Sequence, residues 1–342
     1  MQENVLFVPG RVSLIGGISD LVSPYLSKNK DLIPGYAIAV TIDKGIYSNS
    51  KKSNKFIYRA YKNYFECKWN KEELEKEAKR GSFYSYMCGT LYYLLDKYKV
   101  SGIDIEIVHM DLPMKKGLAS SAAICITIVK SVNELYKLNL SKEEIMDIAY
   151  KGEHLALSKC GRLDQTSIVN EGVSFITFYE NEAKAQKINV KTNINILVVD
   201  LNSKKDTRKI MNCFNNALPF ARYKNDILVH DVIGINNKNL VTNSIKAIET
   251  GDLYLLGTCF TKFQGLMDKV SIICDELKAP VLHSVLEDEY VQKLTYGGKG
   301  TGSGGDGSAI FVCKDKDSEE LLEEYFKLKY KMPSFGICIK GK

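Results

Sequence analysis

The stretch PMKKGLASSAAICITIVKSVNELY, from Pro113 to Tyr136, constrains this chain more than any other. Its second half reads as a long apolar helix. Its first half crowds a glycine, two serines and several alanines onto the point where that helix must begin. The first turn of a helix leaves backbone N–H groups without intrahelical partners, and the helix dipole adds partial positive charge at the same end. Small side chains let another group reach those N–H groups, and a polyphosphate suits them. The pattern GxxxxGK[ST] is absent, so this is not a Walker A loop. A serine-capped helix whose small residues pack on a neighbour accounts for the same letters, and the stretch alone leaves both readings open.

The rest of the chain gives such a helix a folded setting. With 342 residues, 45% hydrophobic and 26% charged, the chain can bury a core, and two domains are expected. A net charge of +6, scattered rather than clustered, suits an anionic small molecule and gives no basic face for a nucleic acid. Nine cysteines without a CxxC pair predict reduced thiols and a cytoplasmic protein. The opening residues MQENVLFVPGR are too short and polar for a signal peptide, and no apolar run is long enough to span a bilayer. The four histidines lack metal-ligand spacing, so zinc is not expected.

Strands are predicted at NVLFV, YAIAVTIDKGIYSNS, GIDIEIVHM, GVSFITF and INILVVDL. Helices are predicted over SFYSYMCGTLYYLLDKYK and over SKEEIMDIAYKGEHLALS, where Ser141 and Glu144 form a capping box. Long helical segments follow from about residue 185, then a glycine-rich run, YGGKGTGSGGDG, and a strand at Ser308–Val312. Strands and helices mix without alternating, which predicts an α+β fold. The polar segment YENEAKAQK marks the expected domain junction, giving domains at 1–185 and 186–342.

Three further stretches carry chemistry. Gly300, Gly302 and Gly305 match the dinucleotide fingerprint by letter, but they precede a strand rather than a helix, so a Rossmann site is rejected. So many glycines are costly to order and predict a close backbone approach. In VPGRVSLIGGISDL, Pro9-Gly10 reads as a turn, and Arg11 and Asp20 bracket an apolar segment. In GEHLALSKCGRLDQTS, Glu153 ends a helix and Asp164 follows a Cys-Gly turn next to Arg162. A carboxylate beside a guanidinium stays ionised and oriented. Glu153 with Ser121 offers the hard oxygens that Mg²⁺ prefers, and Asp164 can accept a hydroxyl proton.

Taken in order, PGRVSLIGGISD, PMKKGLASSAA, CGRLDQ and GGKGTGSGGDGSAI resemble the GHMP kinase superfamily of galactokinase, homoserine, mevalonate and phosphomevalonate kinases and their sugar-kinase relatives. The resemblance implies a two-domain fold, ribosomal-protein-S5-like then ferredoxin-like, with the active site between the domains. It implies ATP and Mg²⁺ as cofactors, with Lys116, Gly117, Leu118, Ala119, Ser120, Ser121 and Ala122 on the ATP phosphates. Gly302, Ser303, Gly304 and Gly305 close on the same groups. Ser121 and Glu153 are implied metal ligands, Asp164 the catalytic base and Arg11 its partner. Asp20, Gly17 and Asp306 are implied on the acceptor side. Where galactokinases read GEHTDY this chain reads GGISDL, which turns the expected acceptor away from galactose towards another sugar or sugar acid. An isoprenoid-pathway kinase of the mevalonate or phosphomevalonate type is the alternative; a phosphorylated acceptor would need extra cations, for which Lys115, Lys116, Lys204, Lys205 and Arg208 are candidates, and a non-catalytic sugar and ATP sensor is the reading outside enzymes. A monomer or homodimer, with no nucleic-acid or membrane partner, completes the expectation.

Overall fold

The computed structural model describes residues 5–114, 116–180 and 182–342. Lys115, one of the candidate cations, and Asn181, inside the expected junction, lie outside the described residues. Strand β1 (Leu6–Ile15) leads through a 3-10 turn (Ser19–Tyr25) into the long strand β2 (Gly35–Ser53). Strands β3 (Lys55–Ala60) and β4 (Asn63–Lys68) follow, then helices α1 (Lys71–Ala78) and α2 (Ser85–Lys97) and strand β5 (Gly102–Met110). Helices α3 (Ser120–Tyr136), α4 (Lys142–Leu155) and α5 (Leu163–Asn170) come next, then β6 (Val173–Tyr179), β7 (Glu182–Lys187) and β8 (Ile194–Asp200). Helices α6 (Thr207–Asn216), α7 (Lys224–Asp231), α8 (Asn237–Thr250), α9 (Leu253–Val270), α10 (Pro280–Leu286) and α11 (Glu289–Leu294) carry the chain to β9 (Thr295–Gly300) and β10 (Ser308–Cys313). Helix α12 (Lys316–Tyr325) and strand β11 (Ser334–Ile339) end it. The architecture is α+β, as the mixed order of elements predicts. Among the described residues no helix is long and apolar enough to cross a membrane.

Two compact units are interleaved along the sequence. One holds residues 5–11, 41–114 and 118–171, the other residues 12–40, 116–117 and 172–342. In the first, the C-terminal half of β2 pairs antiparallel with β5, which pairs parallel with β3, and β3 with β4. Ile103 and Ile105 of β5 and Ile124, Ile126 and Ile128 of α3 are buried in its core. The capping box that opens α4 is present: Glu144 N–H donates to Ser141 Oγ and Ser141 N–H to Glu144 Oε2. Helices α2 and α4 approach closely at two glycines, where a methyl group added to Gly89 would lie 2.3 Å from the Gly152 carbonyl oxygen.

In the second unit, the N-terminal half of β2 pairs with β6 and β6 with β7. The polar segment read as a junction therefore includes an edge strand. Strands β11, β8, β10 and β9 form a four-stranded antiparallel sheet in that order. Leu197, Leu282, Val285, Phe311, Leu322 and Phe326 are buried on that sheet. The first part of the glycine run is not loop but strand β9, and the reason is packing. A methyl group at Gly297 would lie 2.2 Å from the Gly257 carbonyl oxygen of α9, so helix and strand meet where neither has a side chain.

Candidate active site

The start of α3 is not capped by a serine, while its Ala122 and Ala123 are fully buried. Ala119 is the N-cap, in the left-handed region at φ 62°, and no side chain caps the helix. The serines are inside the first turn, so they do not satisfy the N–H groups that a capping serine would take. Arg11 N–H donates to the Leu118 carbonyl at 3.1 Å, which ties β1 to this turn. Pro9-Gly10 is not a turn: β1 runs straight through it, and the glycine makes room for Leu118, whose carbonyl oxygen would lie 3.0 Å from an added methyl group.

Around this turn the first unit gathers a cluster of polar side chains. Ser121 Oγ donates to Glu153 Oε1 at 2.6 Å, and Gln165 Nε2 donates to Glu153 Oε2 at 2.7 Å. Glu153 is 2% exposed, and burial pushes its carboxyl up to about 7, helped by the nearby Asp164 charge and opposed by the donors Ser121, Cys160 and Gln165. Asp164 lies in the first turn of α5 and receives Nε of Arg11 at 2.9 Å and Nη2 of the same guanidinium. Arg11 is almost fully buried while Asp164 keeps a solvent-facing edge. Arg162, the sequence neighbour expected beside Asp164, is instead 3.2 Å from Asp147 and 4.0 Å over the Tyr150 ring. The guanidinium that orients Asp164 comes from 153 residues away, which no local pattern reveals.

One feature of this unit has no sequence motif. A small apolar depression is lined by Tyr58, Phe83, Met87, Ile107, Ile124 and Ile128, among others. Ile124 and Ile128 follow Ser120 on α3 by about 6 and 12 Å along the helix axis.

The second unit holds the other candidate residues. Lys116 Nζ donates to Asp200 Oδ1 at 2.7 Å, and Ser308 Oγ donates to the Lys116 carbonyl at 2.9 Å. Gly117, at φ 76°, faces Thr301. Gly302, Gly304 and Gly305 all have positive φ, which explains why the loop after β9 is glycine. Lys205 Nζ donates to the carbonyls of Thr301 and Gly304, at 3.3 and 3.0 Å, a holding role that the sequence did not assign it. The hydroxyls of Thr301 and Ser303 are buried without a hydrogen-bond partner. Gly17 packs against this loop, where an added methyl group would lie 2.7 Å from the Gly302 carbonyl oxygen. Asp20 is buried in the 3-10 turn, next to Ser19, whose hydroxyl donates to the Gly16 and Tyr36 carbonyls. Asp306 Oδ1 accepts the Leu282 N–H at 2.8 Å, so one of its oxygens serves the start of α10.

An uncapped helix start, a buried serine–glutamate pair and a guanidinium-held aspartate thus lie in one unit. Residues 85–172 match the model of the GHMP kinases N terminal domain. The galactokinase of Pyrococcus furiosus is 26% identical over 99% of this chain and all of its own length. The Methanococcus jannaschii mevalonate kinase structure superposes with a TM-score of 0.75 at 22% identity, covering 100% of this chain and 99% of that one. The Lactococcus lactis galactokinase complexed with galactose gives 0.76 at 17% identity, covering 99% and 93%. The chain thus resembles the GHMP kinases over residues 85–172 and shares the fold of these kinases along nearly its whole length.

The residues present fit both implied cofactors. Ser121 and Glu153 are oxygen donors of the kind Mg²⁺ takes, and an uncapped helix start has N–H groups of the kind an anion takes. Glu153 is placed by the residue before it. A methyl group at Gly152 would meet Thr90 Oγ1 at 2.4 Å and Thr90 Cα at 2.6 Å. Gly152→Ala is therefore expected to destabilise the protein by about 1–3 kcal/mol and to raise the Mg²⁺ concentration needed for half-maximal turnover. Thermal melts and a Mg²⁺ titration check both.

Proposed function

We propose that this chain transfers the γ-phosphoryl group of ATP to the anomeric hydroxyl of a sugar or sugar acid. The observation that carries the reading is the Arg11–Asp164 pair, held in the same unit as the Ser121–Glu153 pair and the uncapped start of α3. Bound Mg²⁺ supplies charge neutralisation for the phosphates, and Ser121 and Glu153 are the residues that would hold it. The N–H groups of Ser120, Ser121 and Ala122 face the phosphate oxygens, with Gly117 to Ala119 wrapping them. Gly302 to Gly305 offer N–H groups in a positive-φ nest, with the unpaired Ser303 hydroxyl as a further donor. Asp164 accepts the hydroxyl proton, and Arg11 orients it while adding positive charge for the transferring group. The apolar depression along α3 takes the nucleotide base, since its lining residues lie one and two turns beyond the phosphate end.

On the acceptor side we assign Asp20 and Gly17, with Asp306 contributing through its second oxygen. Gly17 carries no side chain where GEHTDY kinases have the glutamate that contacts galactose, so that contact is missing and another sugar or a sugar acid is favoured. The domain division at residues 185 and 186 belongs to the same reading. A mevalonate-type kinase is the second reading, favoured by the fold match to a mevalonate kinase. Lys205 weakens it, because this candidate cation already serves two loop carbonyls. The test is ATP consumption across free hexoses, pentoses, heptoses, uronic acids and mevalonate. Turnover with a free sugar or uronic acid and none with mevalonate is expected; turnover with mevalonate alone would overturn the sugar assignment, and ATP binding without turnover on any acceptor would favour the sensor.

A further inference from the structure

We propose that Gln165 is a positioning residue for the metal-binding carboxylate: its amide nitrogen holds Glu153 so that Oε1 stays beside Ser121 and open to a dication. The inference rests on the reading of Ser121 and Glu153 as the magnesium site. Gln165 is 1% exposed in the first turn of α5, and its Nε2 donates to Glu153 Oε2 at 2.7 Å in a buried bond. Its own Oε1 is buried and has no partner. A buried carbonyl left unpaired costs stability, and an apolar side chain of the same volume would avoid that cost. The position therefore uses the amino group. That group faces the carboxylate because the flipped amide would set two oxygens against each other.

The kind of donor matters as much as its presence. A lysine at this place would neutralise Glu153 and repel a dication, and a glutamate would repel Glu153 itself. A neutral donor grips one oxygen and leaves the charge available. Outer-shell donors of this kind fix the orientation of a ligating carboxylate. Asp164 precedes Gln165 directly, so one turn of α5 holds the base against Arg11 and the metal carboxylate against Ser121. Any movement of that turn shifts both.

Mn²⁺ binding to the full chain with ADP present, followed by electron paramagnetic resonance, tests this. Gln165→Met is expected to weaken Mn²⁺ by about 10–100-fold and to raise the KM for Mg²⁺ more than it lowers kcat. ADP binding in EDTA should not fall; the metal-free melting temperature moves only by the balance between the donor lost to Glu153 Oε2 and the unpaired Gln165 Oε1 removed. Gln165→Leu is the second variant if methionine does not pack. Equal Mn²⁺ affinity in the wild type and either variant would overturn the proposal, as would a parallel loss of metal-free ADP binding. Glu153→Gln separates this from the underlying reading: if it binds Mn²⁺ as the wild type does, the metal site itself is wrongly placed.

Discussion

Asp164→Asn is expected to slow phosphoryl transfer by about 10²–10⁴-fold while ATP binding is kept, because it removes the proton acceptor and nothing that touches the nucleotide. Asparagine keeps the shape and can still accept from Arg11, so the fold survives. The buried guanidinium loses its counter-charge, and a fall in stability of about 1–3 kcal/mol follows, less than for a fully buried pair because Asp164 is partly solvated. Single-turnover kinetics with a saturating acceptor, alongside nucleotide titration, checks the result. Unchanged turnover would remove Asp164 from the chemistry.

Glu153→Gln is expected to act in opposite directions on activity and stability. Turnover should fall by at least about 100-fold with a lost or shifted Mg²⁺ dependence, since a charged oxygen ligand is gone. Stability of the metal-free protein at pH 8 should rise. Burial raises the folded carboxyl from 4.5 to about 7, so the folded state holds this proton more tightly than the unfolded chain does. Stability from that proton is present below pH 4.5 and is lost as pH rises to about 7, on the order of 3 kcal/mol in all. Glutamine has no charge to bury and should flatten that slope. Urea melts of both proteins between pH 5 and pH 8, without metal, measure it; parallel slopes would mean that Glu153 is not the buried acid.

The opposition between these effects has a plain cause. A carboxylate buried beside a serine and an amide is a poor structural choice and a good cation ligand. Its burial is imposed by the Gly89–Gly152 approach of α2 and α4. Packing thus fixes a group that packing alone would not favour, which is how strain at a functional site is held.

Much of this was legible in the sequence where the physics is local. The α4 capping box, the apolar α3 and the strand at Ser308 follow from spacing over a few residues. Glu153 and Asp164 stood out as candidate carboxylates, and the structure pairs them with Ser121 and Arg11. What was not legible depends on distant residues. Arg11 and Asp164 meet across 153 positions, so local spacing pointed to the adjacent Arg162, and only the family resemblance named Arg11 as the partner. Strand β9 hid inside a glycine run, since its glycines answer to Gly257 of α9 rather than to a turn. The same error in the other direction made a turn of Pro9-Gly10, where the glycine only clears space for Leu112 and Leu118. The apolar depression draws on Tyr58, Phe83, Ile107 and α3, which share no spacing.

A crystal structure with a non-hydrolysable ATP analogue and magnesium tests the central claim most directly. The phosphate oxygens should lie on the N–H groups of Ser120 to Ala122, with the metal on Ser121 and Glu153, the base between Phe83 and Ile128, and the terminal phosphorus facing Asp164. An analogue bound elsewhere, with the start of α3 bare and Glu153 still holding Ser121 alone, would contradict the account.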